Sequence, residues 1–216
     1  MGKFVVIGLG NFGYYLAKSL FEEGKEVIGV DRNKERVQRL QEFCSYAMVG
    51  DATDKPILES IGIEKKDTVI VSLGDNISGS VLVTLYLKDL DIQDIHVKII
   101  SEDHGRALEK IGAKEVIFPE RDLAQKLAKS LTSPNVIDYL PLTDEYNIVE
   151  IAPPKEFIGK TLAELHLRTR YHISILAVRG LIPETITMNP GGGFTVKDSD
   201  ILIALGKPKD IERIKG

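Results

Sequence analysis

The chain has 216 residues, of which 43% are hydrophobic and 28% are charged, proportions typical of an ordinary soluble globule. It is long enough to bury one large core or two small ones, and its net charge of −4 excludes the strongly basic surface of a nucleic-acid-binding protein. No apolar run approaches the ~18–20 residues that span a bilayer, no secretory leader precedes the first strand, and the single Cys44 excludes a disulfide framework, so we expect a cytoplasmic protein.

A strand, a glycine-rich turn, a helix and a second strand follow one another at the start of the chain. The apolar, β-branched run over 4–7 predicts a buried parallel strand. The pattern G-x-G-x-x-G over 8–13 comes next, followed by an amphipathic helix and a strand over 26–30 that ends in Asp31. This order, with 21 residues from Gly10 to Asp31, indicates adenine-nucleotide binding rather than a purely structural turn.

The three glycines have different predicted roles in this turn. Gly8 allows the tight turn, Gly10 lets the backbone approach a phosphate, and Gly13 lets the helix pack closely on the strand. The phosphate would lie at the helix amino terminus, where unpaired N–H groups and the helix dipole favour an anion. Asp31 can accept hydrogen bonds from both ribose hydroxyls, and its charge disfavours a 2′-phosphate, although Arg32 beside it weakens that argument.

Strands and helices continue to alternate as far as residue 131. The alternation predicts an α/β fold with a doubly wound parallel, Rossmann-type sheet of five or six strands. The further strands are predicted over 46–49, 67–72, 95–100 and 115–118, and the further helices over 34–43, 55–61, 78–90, 104–111 and from 119.

Polar residues after the third strand form a second candidate binding segment. Asp51, or the backbone around it, can meet the amino edge of an adenine ring. The alternative is that Thr53 or Asp54 simply caps the following helix, and both interpretations can hold together.

The loops after the fourth and fifth strands face the same groove. Gly74 and Asn76 can line it, but Asp75 or Asn76 can equally serve only as the N-cap of the next helix. Lys98 can reach a ribose or a phosphate, and the alternative is an ordinary solvated lysine.

The pattern changes after residue 131. Residues 132–146 contain two prolines and no periodicity, so they are interpreted as a connection between lobes. Short strands and short helices over 147–216 predict a small α+β lobe. We therefore expect a nucleotide-binding domain over 1–131, a linker over 132–146 and a carboxyl-terminal lobe over 147–216.

Catalytic groups are hard to find in this sequence. Tyr14 and Lys18 form a Tyr-x-x-x-Lys pair, but they lie on the first helix, away from the place of a nicotinamide ring. The four histidines lack the spacing of a metal site or a catalytic triad, and the glycines over 191–193 lack the Gly-Lys-Ser/Thr ending of a phosphate loop. A protein that is not an enzyme is expected, and a small NAD-dependent oxidoreductase is the alternative.

The combined motifs resemble a known family along essentially the whole chain. The chain is similar to the cytosolic RCK subunits, the regulators of potassium conductance, of bacterial Ktr- and Trk-type potassium transporters. The matching motifs are VIGLGNFG at 6–13, VD at 30–31, GDATD at 50–54, VIVSLGDN at 69–76, VKI at 97–99, IGAKEVIFPERD at 111–122, YNIVEI at 146–151, GKTLAEL at 159–165, ILAV at 175–178 and DSDILIALG at 198–206.

This resemblance implies a regulator in which ATP, ADP, AMP or NAD(H) controls a membrane K+-translocating subunit. It also implies dimers that close into an octameric ring at the inner face of the membrane. The nucleotide contacts implied by position are Gly8, Gly10, Asn11, Phe12, Gly13, Asp31, Arg32, Asp51, Ala52, Gly74, Asn76 and Lys98.

Three further expectations come from the resemblance. Glu120 matches an acid that helps to hold a divalent cation near the nucleotide phosphates at the dimer interface. Asn11 departs from the family pattern, because Ktr subunits that sense ATP usually carry an arginine there. Strong discrimination of ATP from ADP is therefore in doubt. Cyclic di-AMP in the carboxyl-terminal lobe would contact Arg168, Asn189 and Pro190, although Arg168 can equally be a structural or solvated arginine.

Overall fold

The computed structural model describes residues 2–132, 136–143 and 145–214. The chain divides into two compact units, Met1–Arg121 and Asp122–Gly216. Within the described residues, no helix is both long enough and apolar enough to cross a membrane.

The first unit contains the predicted doubly wound sheet. Its six strands are all parallel and lie in the order β3-β2-β1-β4-β5-β6, so the strand order reverses between β1 and β4. The strands are β1 Phe4–Ile7, β2 Val27–Asp31, β3 Tyr46–Val49, β4 Thr68–Val71, β5 Asp94–Lys98 and β6 Glu115–Ile117. The helices are α1 Asn11–Glu22, α2 Lys34–Leu40, α3 Lys55–Ser60, α4 Ile77–Asp89 and α5 Glu102–Ile111, and α6 Pro119–Thr132 contains the division between the units.

Both faces of this sheet are apolar, because side chains alternate along buried strands. Val6 and Ile70 pack with Tyr14 of α1 and with residues of α2 in one cluster. Ile7 and Val97 belong to a second cluster, which includes residues of α3, α4 and α5. Helices on both faces leave the carboxyl edge of the strands open, and this edge is where ligands bind in such sheets.

The boundaries of several elements differ slightly from the predicted ones. Strand β2 begins one residue later and includes Asp31, and the helix predicted over 34–43 ends at Leu40, followed by a 3-10 turn. Helix α5 begins two residues earlier than predicted because Ser101 caps it, its hydroxyl accepting a hydrogen bond from the backbone N–H of His104 at 3.2 Å.

The second unit is a five-stranded antiparallel sheet with short helices. The strand order is β10-β9-β11-β8-β7, and the core includes Phe157, Ile173 and Leu202. The strands are β7 Val136–Pro141, β8 Asn147–Ile151, β9 Ser174–Leu181, β10 Glu184–Met188 and β11 Asp200–Gly206. The helices are α7 Leu162–Leu165, α8 Leu167–Arg170 and α9 Pro208–Ile211.

Two strands of this sheet were not expected from the sequence. Strand β7 lies within the segment predicted to be an irregular connection, where it pairs with β8. It is an edge strand, so Pro141, which has no N–H to donate, is tolerated there. Strand β10 is the opposite edge, and all five of its residues are exposed, so its sequence has no buried positions that alternate with polar ones.

Candidate functional site

A cavity of about 550 Å³ opens at the carboxyl edge of the parallel sheet. Twelve of the thirteen site residues predicted from the sequence line it, and Gly13 is the exception. The predicted residues that line this groove are Gly8, Gly10, Asn11, Phe12, Asp31, Arg32, Asp51, Ala52, Gly74, Asn76, Lys98 and Glu120. Residues that lie up to 112 positions apart in the sequence therefore line the same groove.

The three glycines of the first turn differ in their surroundings as the motif predicts. Gly8 has a φ of +92°, and a Cβ placed on it would lie 2.1 Å from the backbone oxygen of Ser72. A Cβ on Gly13 would lie 1.9 Å from the backbone oxygen of Gly8, which explains why Gly13 is packed behind the turn and does not line the groove. A Cβ on Gly10 would meet nothing within 4 Å. Open space at Gly10 is what a phosphate group approaching the backbone requires.

The amino terminus of α1 borders this open space. Gly10 is its N-cap residue and provides no side-chain capping hydrogen bond, and the first turn contains no acidic residue. The N–H groups of this turn and the positive end of the helix dipole can therefore bind an anion. These features fit the diphosphate of an adenine nucleotide.

The Asp31 carboxylate joins the glycine turn to the end of β2. The side chain is buried, and one oxygen accepts a hydrogen bond from the N–H of Leu9 at 2.7 Å while the other accepts one from the N–H of Asn33 at 2.8 Å. Arg36 adds an ion pair at 3.5 Å. Leu9 and Arg36 donate to Oδ2 and Asn33 donates to Oδ1, so one acceptor position of Oδ1 is left for a ribose hydroxyl, whereas the sequence predicted contacts with both hydroxyls.

Asp51 turns towards its own loop. Its carboxylate accepts hydrogen bonds from the hydroxyl of Thr53 at 2.7 Å and from the N–H of Thr53 at 3.0 Å, and these bonds lower the pKa of Asp51. Asp54 occupies the N-cap position of α3, but its side chain makes no capping hydrogen bond. The contact of this loop with an adenine ring stays a prediction.

Asn76 combines the two roles that the sequence left open. Its side-chain oxygen accepts a hydrogen bond from the N–H of Gly79 at 2.9 Å, so it caps α4, and it also lines the groove. Gly74 lies in the same loop with a φ of +61°, a conformation that favours glycine.

Lys98 forms an ion pair with Glu120 at the far end of the groove. The lysine side chain is only 13% exposed, so the alternative of a solvated surface lysine is wrong. The hydrogen bond from Lys98 holds the pKa of the Glu120 carboxyl below its usual range. Within the described residues, no group of three or more His, Cys, Asp or Glu side chains is arranged to bind a metal ion. Glu120 of one chain therefore does not by itself provide a complete cation site.

Replacing Lys98 with methionine is expected to raise the pKa of Glu120 towards that of an ordinary glutamate. A carboxyl with a lowered pKa contributes stability above its unfolded pKa, and this contribution is lost as the pH falls through its folded pKa. Carbon-13 NMR of the Glu120 carboxyl across an acid titration measures the change. Lys65→Met is the matched control, because Lys65 pairs with Asp91 and does not line the groove. An unchanged Glu120 titration in the Lys98 variant would contradict the ion pair.

Some residues that line the groove were missed by the sequence analysis. Arg36 is the most informative, because it follows Asp31 by five residues, on the first turns of α2, and its guanidinium reaches back to the carboxylate. The interval of five residues between Asp31 and Arg36 is the sequence feature that could have predicted this contact. Ile7, Ser72 and Leu73 also line the groove, as do Thr53 and Asp75, which had been considered only as caps.

The second unit has a cavity of its own, with a volume of about 450 Å³. Arg168 and Pro190 line it, whereas Asn189 is not among its lining residues. The remaining residues around it are Leu162, Ala163, His166, Leu167, Thr169, Ile173, Ile175, Gly191 and Gly192.

The parallel sheet with a glycine-lined groove at its carboxyl edge, followed by an antiparallel sheet with a cavity of its own, defines a Rossmann-type domain with an additional α+β lobe. Residues 4–119 match the family model of the TrkA-N domain, and residues 148–215 match that of the TrkA-C domain. The chain belongs to the TrkA and Ktr family of potassium uptake proteins. The resemblance inferred from the sequence motifs is therefore confirmed.

Individual relatives cover nearly the whole chain. The Ktr system potassium uptake protein C of Bacillus subtilis is 40% identical over 214 residues, which are 99% of this chain and 96% of the relative. The Ktr system potassium uptake protein A of Vibrio alginolyticus is 32% identical over 96% of this chain and 93% of its own length. These relatives are named as potassium uptake proteins, and neither they nor the two family models are described as oxidoreductases.

Solved structures agree with the fold. The RCK domain of GsuK superposes with a TM-score of 0.66 at 20% sequence identity, over 100% of this chain and 48% of that chain. At this level of identity the likeness establishes the α/β architecture and the added lobe.

Proposed function

We propose that this chain is a cytoplasmic gating subunit that is not an enzyme. An adenine nucleotide binds in the groove of the domain over 1–131, and its preference for one conformation controls K+ flux through a membrane partner. The lobe over 147–216 provides a second ligand and dimerisation surface. A ligand can shift such an equilibrium only by the difference in its affinity for the two conformations.

The convergence of twelve predicted residues on one groove carries the proposal. The open space at Gly10 and the uncapped start of α1 suit a diphosphate, and Asp31 at the end of β2 suits a ribose. Relatives of this chain are potassium uptake proteins, and we therefore propose that the sensor acts in potassium uptake. One solved structure of similar fold is described as the GsuK channel bound to NAD.

The charges around the groove bear on which nucleotide is sensed. Three basic residues and four acidic residues line it, and Lys98 is already paired with Glu120. Asn11 can donate a hydrogen bond but supplies no positive charge for a terminal phosphate. We therefore expect AMP, ADP, ATP and NAD(H) to bind with similar affinity, without strong selection for the triphosphate.

Self-association is part of the proposal. Leu123, Leu127 and Leu131 recur at i, i+4 and i+8 along α6, and their side chains are 55–74% exposed. A stripe of exposed leucines suits a partner surface. We propose dimers that assemble into an octameric ring at the inner face of the membrane, in contact with the K+-translocating subunit.

Two further ligands are proposed. A divalent cation would be held by Glu120 together with nucleotide phosphates and groups of a neighbouring subunit. Cyclic di-AMP would bind in the second cavity, where the guanidinium of Arg168 can face a phosphate.

Thermal unfolding with a panel of nucleotides tests the proposal. ATP, ADP, AMP, NAD, NADH and cyclic di-AMP are each added with and without Mg²⁺, because a ligand that binds only the native state raises its stability with concentration. A rise in melting temperature with at least one adenine nucleotide is expected. If none of these ligands raised the melting temperature, the proposal of nucleotide sensing would be overturned.

Gly10→Ala separates binding from folding in the same assay. The added methyl group has open space in the free protein, and Gly10 has a φ of −62° that alanine tolerates, so the melting temperature without ligand should not change. The methyl group would occupy the phosphate position, and we expect an affinity loss of at least ~10-fold, or about 1.4 kcal/mol. Unchanged affinity, measured by calorimetry, would contradict the placement of the phosphate.

A further inference from the structure

One face of β5 carries only polar residues, and each is paired with the chain segment around β6. Asp94, His96 and Lys98 alternate with the buried Ile95 and Val97, so they share one face of the strand. Each of the three has one charged partner within residues 114–120. The three pairs, which we term the ion-pair row, are Asp94–Lys114, His96–Glu115 and Lys98–Glu120.

The first pair of the row provides a fixed negative charge. Lys114 Nζ lies 2.5 Å from Asp94 Oδ1, and the hydroxyl of Thr68 on β4 donates to Asp94 Oδ2 at 2.7 Å. The hydrogen bond from Lys114 lowers the pKa of Asp94 to about 2. Asp94 therefore stays ionised at any pH near neutrality.

The middle pair is unusual because both ring nitrogens of His96 meet carboxylates. Nε2 lies 3.2 Å from Asp94 Oδ1, and Nδ1 lies 2.9 Å from Glu115 Oε2. A neutral imidazole has one N–H, so one nitrogen would face a carboxylate with its lone pair, whereas the protonated ring donates to both. The ring contacts Asp94 of β5 and Glu115 of β6, Lys114 shares Asp94 with it, Lys98 lies two residues along the same face, and β4 contributes the neutral Thr68 beside Asp94.

The last pair of the row reaches the nucleotide groove. Lys98 and Glu120 both line the cavity, and Lys98 lies two residues beyond His96 on the same face. Strand β6 is only three residues long and forms the edge of the sheet, with β5 as its neighbour. Only four residues lie between Glu115 and Glu120. The attachment of β6 to β5 therefore bears directly on where the Glu120 carboxylate lies.

We propose that His96 is a positioning residue of the nucleotide groove, which in its protonated form fixes β6 against β5 and thereby holds Glu120 beside Lys98. This proposal rests on the nucleotide-binding function proposed above. Because a protonated ring can donate to both carboxylates and a neutral ring to only one, we expect this contact to be stronger at low pH than at high pH. Nucleotide binding then depends on pH through a residue that does not touch the nucleotide.

Isothermal titration calorimetry with ADP at pH 6 and pH 8 tests the proposal. The full chain without substitution, here called the full chain, is compared with its His96→Gln variant. The glutamine keeps polar character but cannot gain a charge. The terminal phosphate of ADP titrates in the same range, so the quantity of interest is the ratio of the two affinities at each pH, in which the ligand's own titration cancels. His172→Asn is the matched control, since His172 is an exposed histidine in the other unit.

The full chain should bind ADP about 3- to 10-fold more tightly than His96→Gln at pH 6, and less than about 2-fold more tightly at pH 8, the scale of a half-buried ion pair. Glu115→Gln, which leaves the histidine in place, should remove the same pH dependence. His172→Asn should behave as the full chain does.

Two failures are distinguishable. If the full chain does not bind ADP at either pH, the proposed nucleotide-binding function fails. If it binds ADP but His96→Gln and Glu115→Gln show the same affinity ratio at pH 6 and pH 8, the positioning role of His96 is overturned while nucleotide binding stands. Melting temperatures without ligand, measured at both pH values, identify a variant that has merely unfolded, and the other variant then decides the test.

Discussion

Gly13→Ala is expected to destabilise the first unit by at least ~3 kcal/mol and to abolish nucleotide binding with it, because the added methyl group cannot be accommodated. Its carbon would lie 1.9 Å from the backbone oxygen of Gly8 and 3.4 Å from a side-chain carbon of Val6. Relief requires movement of backbone, since the closest atom does not belong to a flexible side chain.

The turn has little freedom to make that movement. The N–H of Gly8 donates to the backbone oxygen of Val30 at 2.8 Å, and the glycine itself holds a φ of +92°. Gly8 also lies close to Ser72, whose backbone oxygen leaves no room for a side chain there. The clash therefore affects β1, β2 and the residue that follows β4.

Urea unfolding and nucleotide calorimetry on Gly13→Ala and Gly10→Ala check this expectation together. Both variants add one methyl group to the same turn, but the methyl group on Gly10 meets nothing within 4 Å. Gly13→Ala should lose stability, whereas Gly10→Ala should lose affinity alone. Equal stability of the two variants would contradict the tight packing of α1 against the turn.

The different roles of these glycines could be predicted from the sequence because they depend on local spacing. A strand, a glycine turn, a helix and an acidic residue at fixed intervals allow few arrangements, and the observed α1 and β2 follow the prediction closely. The carboxyl ends of parallel strands meet at one edge, so residues after β3, β4 and β5 could also be assigned to one groove.

The antiparallel lobe was less predictable for a physical reason. Each of its two edge strands pairs with the strand beside it in the chain, β7 with β8 and β10 with β9, and β10 has no buried face. Strand β7 ends in a proline, and β10 alternates threonine with apolar residues within a strand of only five residues, all of which are exposed, so neither carries the signal of a half-buried strand. Cross-strand partners, which the sequence does not specify, determine both.

Side-chain pairs between neighbouring strands were beyond sequence reasoning as well. Lys98 and Glu120 were each assigned to the groove, but their ion pair depends on the register of β5 against β6. The same register places His96 opposite Glu115. Alternation along β5 predicts that Asp94, His96 and Lys98 share a face, and only the fold supplies their partners.

Asp31→Asn should weaken both the fold and the binding of nucleotide, since one carboxylate serves both. It accepts hydrogen bonds from the N–H groups of Leu9 and Asn33 with different oxygens. An amide has only one acceptor oxygen, so its NH₂ group would face one of these donors. A buried N–H without a partner costs about 1–3 kcal/mol. Loss of the charged acceptor for the ribose hydroxyls should lower affinity by a further ~10- to 100-fold.

Asp75→Asn is the matched control for this substitution, because Asp75 lines the same groove and its side chain is exposed. The same chemical change there should leave the free energy of unfolding within ~0.5 kcal/mol of the full chain. Urea unfolding and calorimetry with ADP or NAD measure both quantities. If Asp31→Asn lost stability but kept full affinity, the carboxylate would serve only to join the glycine turn to β2. The ribose would then have to be bound elsewhere in the groove, and Arg32 and Arg36 would be the next residues to replace.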